Sequence, residues 1–451
     1  MRFIRWFGVF SFVAYIFMAN HFYLERLSML DNSFQLFQIV RTGKLAIQVD
    51  RYLAIFTQIF PLVGTKLNLE LETIAKLHTL SFPIIYGICF IIIAFIFSNK
   101  RIAIIFLLYH FLIVSHSFFW PQCELVQGVS WFLVYVAYME WIRIKKNSSL
   151  LVFISVPLFI LSLVFMHPLI ALVYTYYYLF VLIEKRSDAK LIFYNLFLFL
   201  LILLFKILFF ENSYDSVFSD KLSSFVSNFS NEKIGSKLVD VFERIFINYK
   251  LLSLIFVSFC IYLILKKKWL PLLLLTSYSF GLILLKTICY NVEMDLFYSE
   301  VQYNLVAFFV ICMIVEYTLL PIEWPTEFLI LPLVFSLFFY RVVHISDIYT
   351  NRLMFLQDLI HKYQTKKVLI RAGETEYTKL KLVWGSSFET WLISTLQSGV
   401  SSSIIISDNP DKYKEDMKEV NVWLTEWETF KYEQLNPKYF VFKDTGRYEL
   451  K

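Results

Sequence analysis

Residues 1–23 read MRFIRWFGVFSFVAYIFMANHFY, and residues 28–52 read SMLDNSFQLFQIVRTGKLAIQVDRY. The first stretch is aromatic and apolar and lacks the small-residue cleavage pattern of a secretory leader. It predicts a retained membrane-spanning helix. The second stretch puts an acid, Asp31, at the mouth of that helix. Behind it, Asn32 and Gln35 have capping-box spacing. Phe34 and Phe37, with Leu36 and Val40, form two neighbouring apolar stripes, and Gly43 offers a stop. The pattern predicts an amphipathic helix lying in the membrane interface. A second such segment, 45–64, is interrupted by Asp50 and Arg51 and ends near Pro61.

Working outward, the rest of the chain repeats the first theme. Of 451 residues, 58% are hydrophobic and 17% charged, against roughly 25% charged in soluble domains. The 49 phenylalanines fall mostly in apolar runs, each of about 18–22 positions, long enough for helices to cross a bilayer. Period-two alternation is missing, which excludes a lipid-facing barrel. About eleven spans are predicted: 5–22, 76–98, 102–119, 124–142, 149–166, 168–183, 190–210, 250–265, 269–290, 303–320 and 326–342. The fold class is an all-α polytopic membrane protein, residues 1–343, followed by a small α/β domain, residues 344–451.

The short loops set an orientation. MRFIR, SNKR, IRIKK, EKRSDAK and LKKK are basic and fall on one side, which the positive-inside rule makes cytoplasmic. Only PIEWPTE departs. The longer connections, 24–75, 211–249 and 291–302, and the tail then lie outside. Much Phe, Ile, Leu, Tyr and Lys with little Ala and Gly is the composition of an AT-rich bacterial genome, so a bacterial inner membrane is expected.

Ionisable groups at span ends are costly and therefore informative. On the outer side these are Asp31, Asp50, Arg51, His116, Glu124, His167, Lys206, Lys286, Glu293, Asp295 and Glu300, with Gln302 beside the last. Together they predict a polar cavity opening outward. Each also has a plainer reading. Asp31 can cap a helix, Asp50 and Arg51 can be a solvated interfacial pair, and His167 can be a turn residue before Pro168. Lys206 and Lys286 can snorkel to the interface, and Trp120 can be an interfacial anchor. Glu140 and Glu316 are acids on the basic side.

A net charge of +6 without basic–aromatic blocks gives no nucleic-acid signature, and five scattered cysteines without CxxC give no redox or metal signature. Phosphate-binding glycine loops, HExxH and G-x-S-x-G are missing. Few Gly and Pro and no half-chain repeat weigh against a secondary transporter. In the tail, VLIRA, SSIIISD and KYFVFKD read as strands, and SFETWLISTLQSG reads as a helix stopped by Gly399. A cap or docking role is expected for this domain.

A first span, an acid directly after it in MLDNSF, interfacial helices in a long outer loop, short-loop spans with polar outer ends and an outer C-terminal domain follow one another. This order resembles the GT-C superfamily of integral-membrane glycosyltransferases. The resemblance implies transfer of a sugar from a polyprenyl-phosphate-linked donor to a glycan, lipid or protein acceptor, with the membrane lipid as surroundings. It also implies Asp31 as catalytic base or as the acid beside the acceptor, and His116 or Glu124 as the polar group of the second outer loop. A leaving phosphate needs a cation opposite it, for which Arg51, Lys206 and Lys286 are the candidates. Where many relatives carry two adjacent acids or Asp-x-Asp, this chain has Asp31–Asn32, so a divalent metal stays an open element. Two other readings stand beside it. One is a polysaccharide polymerase or ligase using the loop 211–249, with Lys221, Lys233, Lys237 and Arg244. The other is a non-enzymatic transporter or assembly subunit.

Overall fold

The computed structural model describes all residues except 146–149, 186–188, 211–233, 290–295, 322–326, 375–379 and 381. The described residues of the first part of the chain are mostly helical and include no strand. α1 (Arg2–His21) leads through α2 (Tyr23–Leu27) and α3 (Leu30–Thr42) to α4 (Ile55–Lys66). The main bundle follows with α5 (Leu71–Ile91), α6 (Lys100–Phe111), the single turn α7 (His116–Phe119), α8 (Glu124–Lys145), α9 (Leu150–Met166), α10 (Ile170–Ile183) and α11 (Ala189–Phe209). It closes with α12 (Ile234–Asn248), α13 (Lys250–Leu265), α14 (Trp269–Cys289), α15 (Leu296–Ile314) and α16 (Glu327–Tyr363). Two single π-helical turns, Ile92–Ile96 and Val315–Leu319, extend α5 and α15.

Among the described residues, seven helices are long and apolar enough to cross a membrane: α1, α5, α8, α11, α14, α15 and α16. α12 and α13 form one further apolar pair, bent by 104°. α9 and α10 are apolar but shorter. Only 22% of the most apolar window of α11 is buried. Its exposed Phe193, Phe197, Leu200, Leu204 and Leu208 form an apolar face far too continuous for water. Long helices of this kind suit a membrane-embedded protein.

The expected span 102–119 is two pieces. α6 stops at Phe111, and the backbone N–H groups of Ser115, His116 and Ser117 turn toward the Glu300 carboxylate instead of continuing a helical ladder. The segment 45–64 also differs from its reading. Pro61 lies inside α4, which continues to Lys66.

α3 begins and ends for separate reasons. Gly43 stops it in the left-handed conformation (φ 59°), as its sequence position predicts. Its start is not a capping box. Asn32 lies inside the helix and is fully buried, donating to the Arg26 carbonyl (2.5 Å) and accepting from the Gln122 N–H (3.0 Å). The orphan N–H of Leu30 is taken by the Glu389 carboxylate at 2.7 Å, from a residue 359 positions away. Nor does the apolar stripe of α3 lie on a membrane surface. Leu36, Phe37 and Val40 pack with Leu27 and Ile74 against Phe388, Trp391, Trp423, Phe430 and Phe440 of the tail. An amphipathic stripe specifies burial but not what buries it.

The tail grows out of α16, whose 37 residues make a rod about 55 Å long. It passes residue 343 without a break, and Leu353, Leu356 and Ile360 on its last turns join the tail's core. β1 (Lys367–Arg371) is the middle strand of a parallel sheet of order β2–β1–β5, with β2 (Ser403–Ser407) and β5 (Glu449–Leu450) at its edges. α17 (Ser386–Ser398) connects β1 to β2 and ends at Gly399 (φ 66°). β3 (Val422–Leu424) and β4 (Thr429–Lys431) form a small hairpin. The expected strand KYFVFKD is irregular instead. Among the described residues Val441 bonds the backbone and hydroxyl of Ser401 and enters no ladder, and Tyr439 and Phe440 fill the aromatic core with α17.

Candidate functional site

A cavity of about 850 Å³ opens where α3, the 48–51 turn, the 120–125 segment, the α9–α10 turn, the start of α15 and the tail converge. It collects Asp31, Arg51, Glu124 and His167 from the ionisable groups expected at the outer ends of the spans. Asp31 stands in the first turn of α3, where the helix dipole favours a carboxylate. It caps no backbone group. Its Oδ2 accepts from the Trp120 indole N–H at 3.0 Å. Burial in the cavity, and next the Glu124 carboxylate, push its pKa up to about 7 against the opposing Trp120 hydrogen bond and Arg51 charge.

Arg51 follows two residues with positive φ, Val49 and Asp50, a turn that swings its guanidinium inward. Its Nη1 lies 2.7 Å from Glu124 Oε2, and both side chains are largely buried. His167 occupies the turn between α9 and α10. Its Nδ1 accepts from the Leu169 N–H at 3.1 Å, which places the ring proton on Nε2. Burial and the nearby Arg51 and Lys206 charges push its pKa down to about 3. It is therefore a neutral hydrogen-bond donor across the ordinary pH range. Lys206 sits behind it, with Nζ 5.3 Å from the centre of the Phe165 ring.

The other expected residues fall elsewhere. Glu300 is fully buried and accepts from three backbone N–H groups, those of Ser115, His116 and Ser117, and from the Ser115 and Ser117 hydroxyls. A carboxylate so saturated holds a loop in place. His116 shares that cluster through Nδ1 and the Tyr349 hydroxyl (3.0 Å). Lys286 stands 4.1 Å from the centre of the Tyr303 ring, away from the cavity. Asp50 meets the Tyr52 hydroxyl at 3.2 Å and does not line the cavity. Glu293 and Asp295 lie outside the described residues, as do Lys221, Lys233 and most of the loop 211–249.

Composition did not single out the aromatic and amide half of the lining. Phe34, Trp120, Tyr298, Trp384 and Trp427 form much of the wall, with Gln35, Gln122 and Gln302 between them. Trp384 and Trp427 come from the tail, so no reading of the spans alone could place them. Among the described residues, no three His, Cys, Asp or Glu side chains converge on a point that would hold a metal ion.

A second cavity of about 350 Å³ lies at the other end of α8, lined by Arg101, Glu140, Arg143, Tyr177 and Asn195. Arg101 pairs there with Glu140, meets the Tyr177 hydroxyl at 2.6 Å and stands 3.7 Å from Glu316. This network accounts for the two acids on the basic side. Comparison of the chain with protein-family models, curated proteins and solved structures gave no match.

Proposed function

We propose that the chain is a membrane glycosyltransferase of GT-C type, moving a sugar from a polyprenyl-phosphate-linked donor to an envelope acceptor at the outer face of a bacterial inner membrane. On this reading all eleven apolar segments belong to the membrane domain and the tail is extracytoplasmic. The observation that carries it is the placement of the Asp31 carboxylate in one cavity with the Arg51 guanidinium, where burial pushes its pKa up to about 7. The end of the bundle supports the orientation. α8 starts at the cavity with Glu124 and ends with Arg143 and Lys145, so the cavity lies opposite a basic loop.

The chemistry follows from the groups. An acceptor hydroxyl gives its proton to Asp31, whose pKa near the working pH suits a general base. The hydroxyl oxygen forms the bond to the anomeric carbon with its own electron pair. The bond from that carbon to the phosphate oxygen breaks, and its pair leaves on the lipid phosphate. Arg51, and Lys206 beyond His167, offset the charge that develops there. The His167 Nε2–H is a further donor for an oxygen in transit.

The test is complementation of a knockout with Asp31→Asn, reading lipid-linked and surface glycans by mass spectrometry with membrane protein level checked. Loss of one glycan at normal protein level is expected. A normal profile in the variant, where the knockout is defective, would remove Asp31 from the reaction. An unchanged profile in the knockout would overturn the transferase reading and favour transport or assembly.

A further inference from the structure

The cavity has two chemically distinct halves. One is charged: Asp31, Arg51, Glu124 and the neutral donor His167. The other is an aromatic wall at the lip. Trp427 stands 4.6 Å from Phe34 and 4.8 Å from Trp384, ring centre to ring centre. Deeper in, Trp120 and Tyr298 meet at 4.5 Å.

Trp427 is carried on the β3–β4 hairpin, which is locked by the Thr425 N–H and hydroxyl donating to the Glu428 carbonyl (3.1 and 2.6 Å). Yet its indole is 54% exposed. A rigid turn that holds a large apolar ring half in water at a cavity mouth invites a partner for that ring.

The second observation concerns polar atoms. The side-chain carbonyl oxygens of Gln35, Gln122 and Gln302 are buried at the lining, and none has a hydrogen-bond partner among the described residues. Buried acceptors without donors are costly, and three in one cavity wait for donors supplied by a ligand. A lipid tail brings no donors. A phosphate brings acceptors. A peptide backbone brings one N–H donor per residue in a fixed direction, whereas each saccharide hydroxyl can rotate to donate where an acceptor stands. A saccharide brings hydroxyl donors around its rim and C–H groups on the faces of its rings, and those faces stack on indole and phenyl rings.

We propose that the Phe34–Trp384–Trp427 wall is a saccharide subsite. One ring of an oligosaccharide stacks on the Trp427 indole at the mouth, and the hydroxyls of the ring beyond it donate to Gln35, Gln122 and Gln302. Together with the transferase reading, on which this step rests, the acceptor is then a glycan chain, and the tail is the part that selects it.

The test uses the full-length chain in nanodiscs and saturation-transfer-difference NMR with three tetrasaccharide probes, of glucose, mannose and N-acetylglucosamine. Transfer to the ring C–H protons of at least one probe is expected. Its affinity falls tenfold or more in Trp427→Ala and in Trp384→Ala and is largely kept in Trp427→Tyr. No transfer to any probe, or undiminished binding by Trp427→Ala, would overturn the subsite. Its failure and that of the transferase reading are separable. If no probe binds while Asp31→Asn still loses a glycan in cells, the subsite falls alone. If a probe binds through Trp427 while the Asp31→Asn profile stays normal, the subsite stands without Asp31 catalysis.

Discussion

At the scale of single residues, Asp31 and Glu300 show how two acids expected at the same outer cavity part company. Glu300 is surrounded by five donors, whereas Asp31 has the Trp120 indole and a cavity in front of it. On the proposed transferase reading Asp31 works ionised as a general base, so transfer should fall as pH drops through about 7. Trp120→Phe removes a hydrogen bond that lowers the Asp31 pKa. The acid limb of a pH–rate profile should therefore move to higher pH in that variant, and an unmoved limb would assign the titration to another group. Stability carries the opposite sign. Between its ordinary value, about 4, and its folded value the native protein holds the extra proton. The stabilisation is complete at the low end of that window and is lost as pH rises through about 7. Asp31→Asn stays neutral throughout, so it should raise the melting temperature relative to the parent more at pH 8 than at pH 5.

At the scale of elements, α3 depends on the tail for its first turn. Nη2 of Arg352 lies 2.8 and 2.7 Å from the two oxygens of the fully buried Glu389, which also caps Leu30, and Arg352 further bonds the Ser28 carbonyl. Burial raises the Glu389 pKa and Arg352 opposes the shift. Glu389→Ala leaves a buried guanidinium uncompensated and should cost about 3–5 kcal/mol. The double variant Glu389→Met, Arg352→Met should recover part of that loss in thermal melts. Gly385 approaches the same turn. A Cβ there would stand 2.9 Å from Leu30 Cα, so Gly385→Ala should cost about 1–3 kcal/mol.

This clamp also marks where the sequence stops being readable. Gly43 and Gly399 were legible because a left-handed stop is a local requirement. The Asn32–Gln35 spacing was not a cap, because the capping carboxylate comes from a distant element. The stripe on α3 was visible, but its partner was not. Asp31, Arg51, Glu124 and His167 were legible as ionisable groups at helix ends. Glu300 and His116 looked the same on paper, since a nest of backbone N–H groups leaves no trace in composition. KYFVFKD had the short apolar run of a strand and became core, bonded at Val441 to Ser401 instead of entering a ladder.

At the scale of the molecule, the two polar cavities sit at opposite ends of α8, some 16 residues apart from Glu124 to Glu140, or about 24 Å along the axis. In a cysteine-free background, Trp427→Cys should react with an impermeant maleimide from outside intact cells. Lys266→Cys, exposed in the α13–α14 turn, should react only after lysis. The reverse pattern would turn the chain over and overturn the outer-face reading.

The site's walls are also spread along the whole length of translation. Asp31 and Phe34 emerge from the ribosome early, whereas Trp384 and Trp427 emerge near the end. At about 5–20 residues per second, Phe37 waits roughly 20–70 s for Trp391 and the rest of its tail partners. Until then its stripe has Leu27, Leu71 and Ile74 beside it but lacks its aromatic cover. The chain thus carries from early in synthesis an apolar face that is covered only when its last residues arrive, and no incomplete copy can close the cavity.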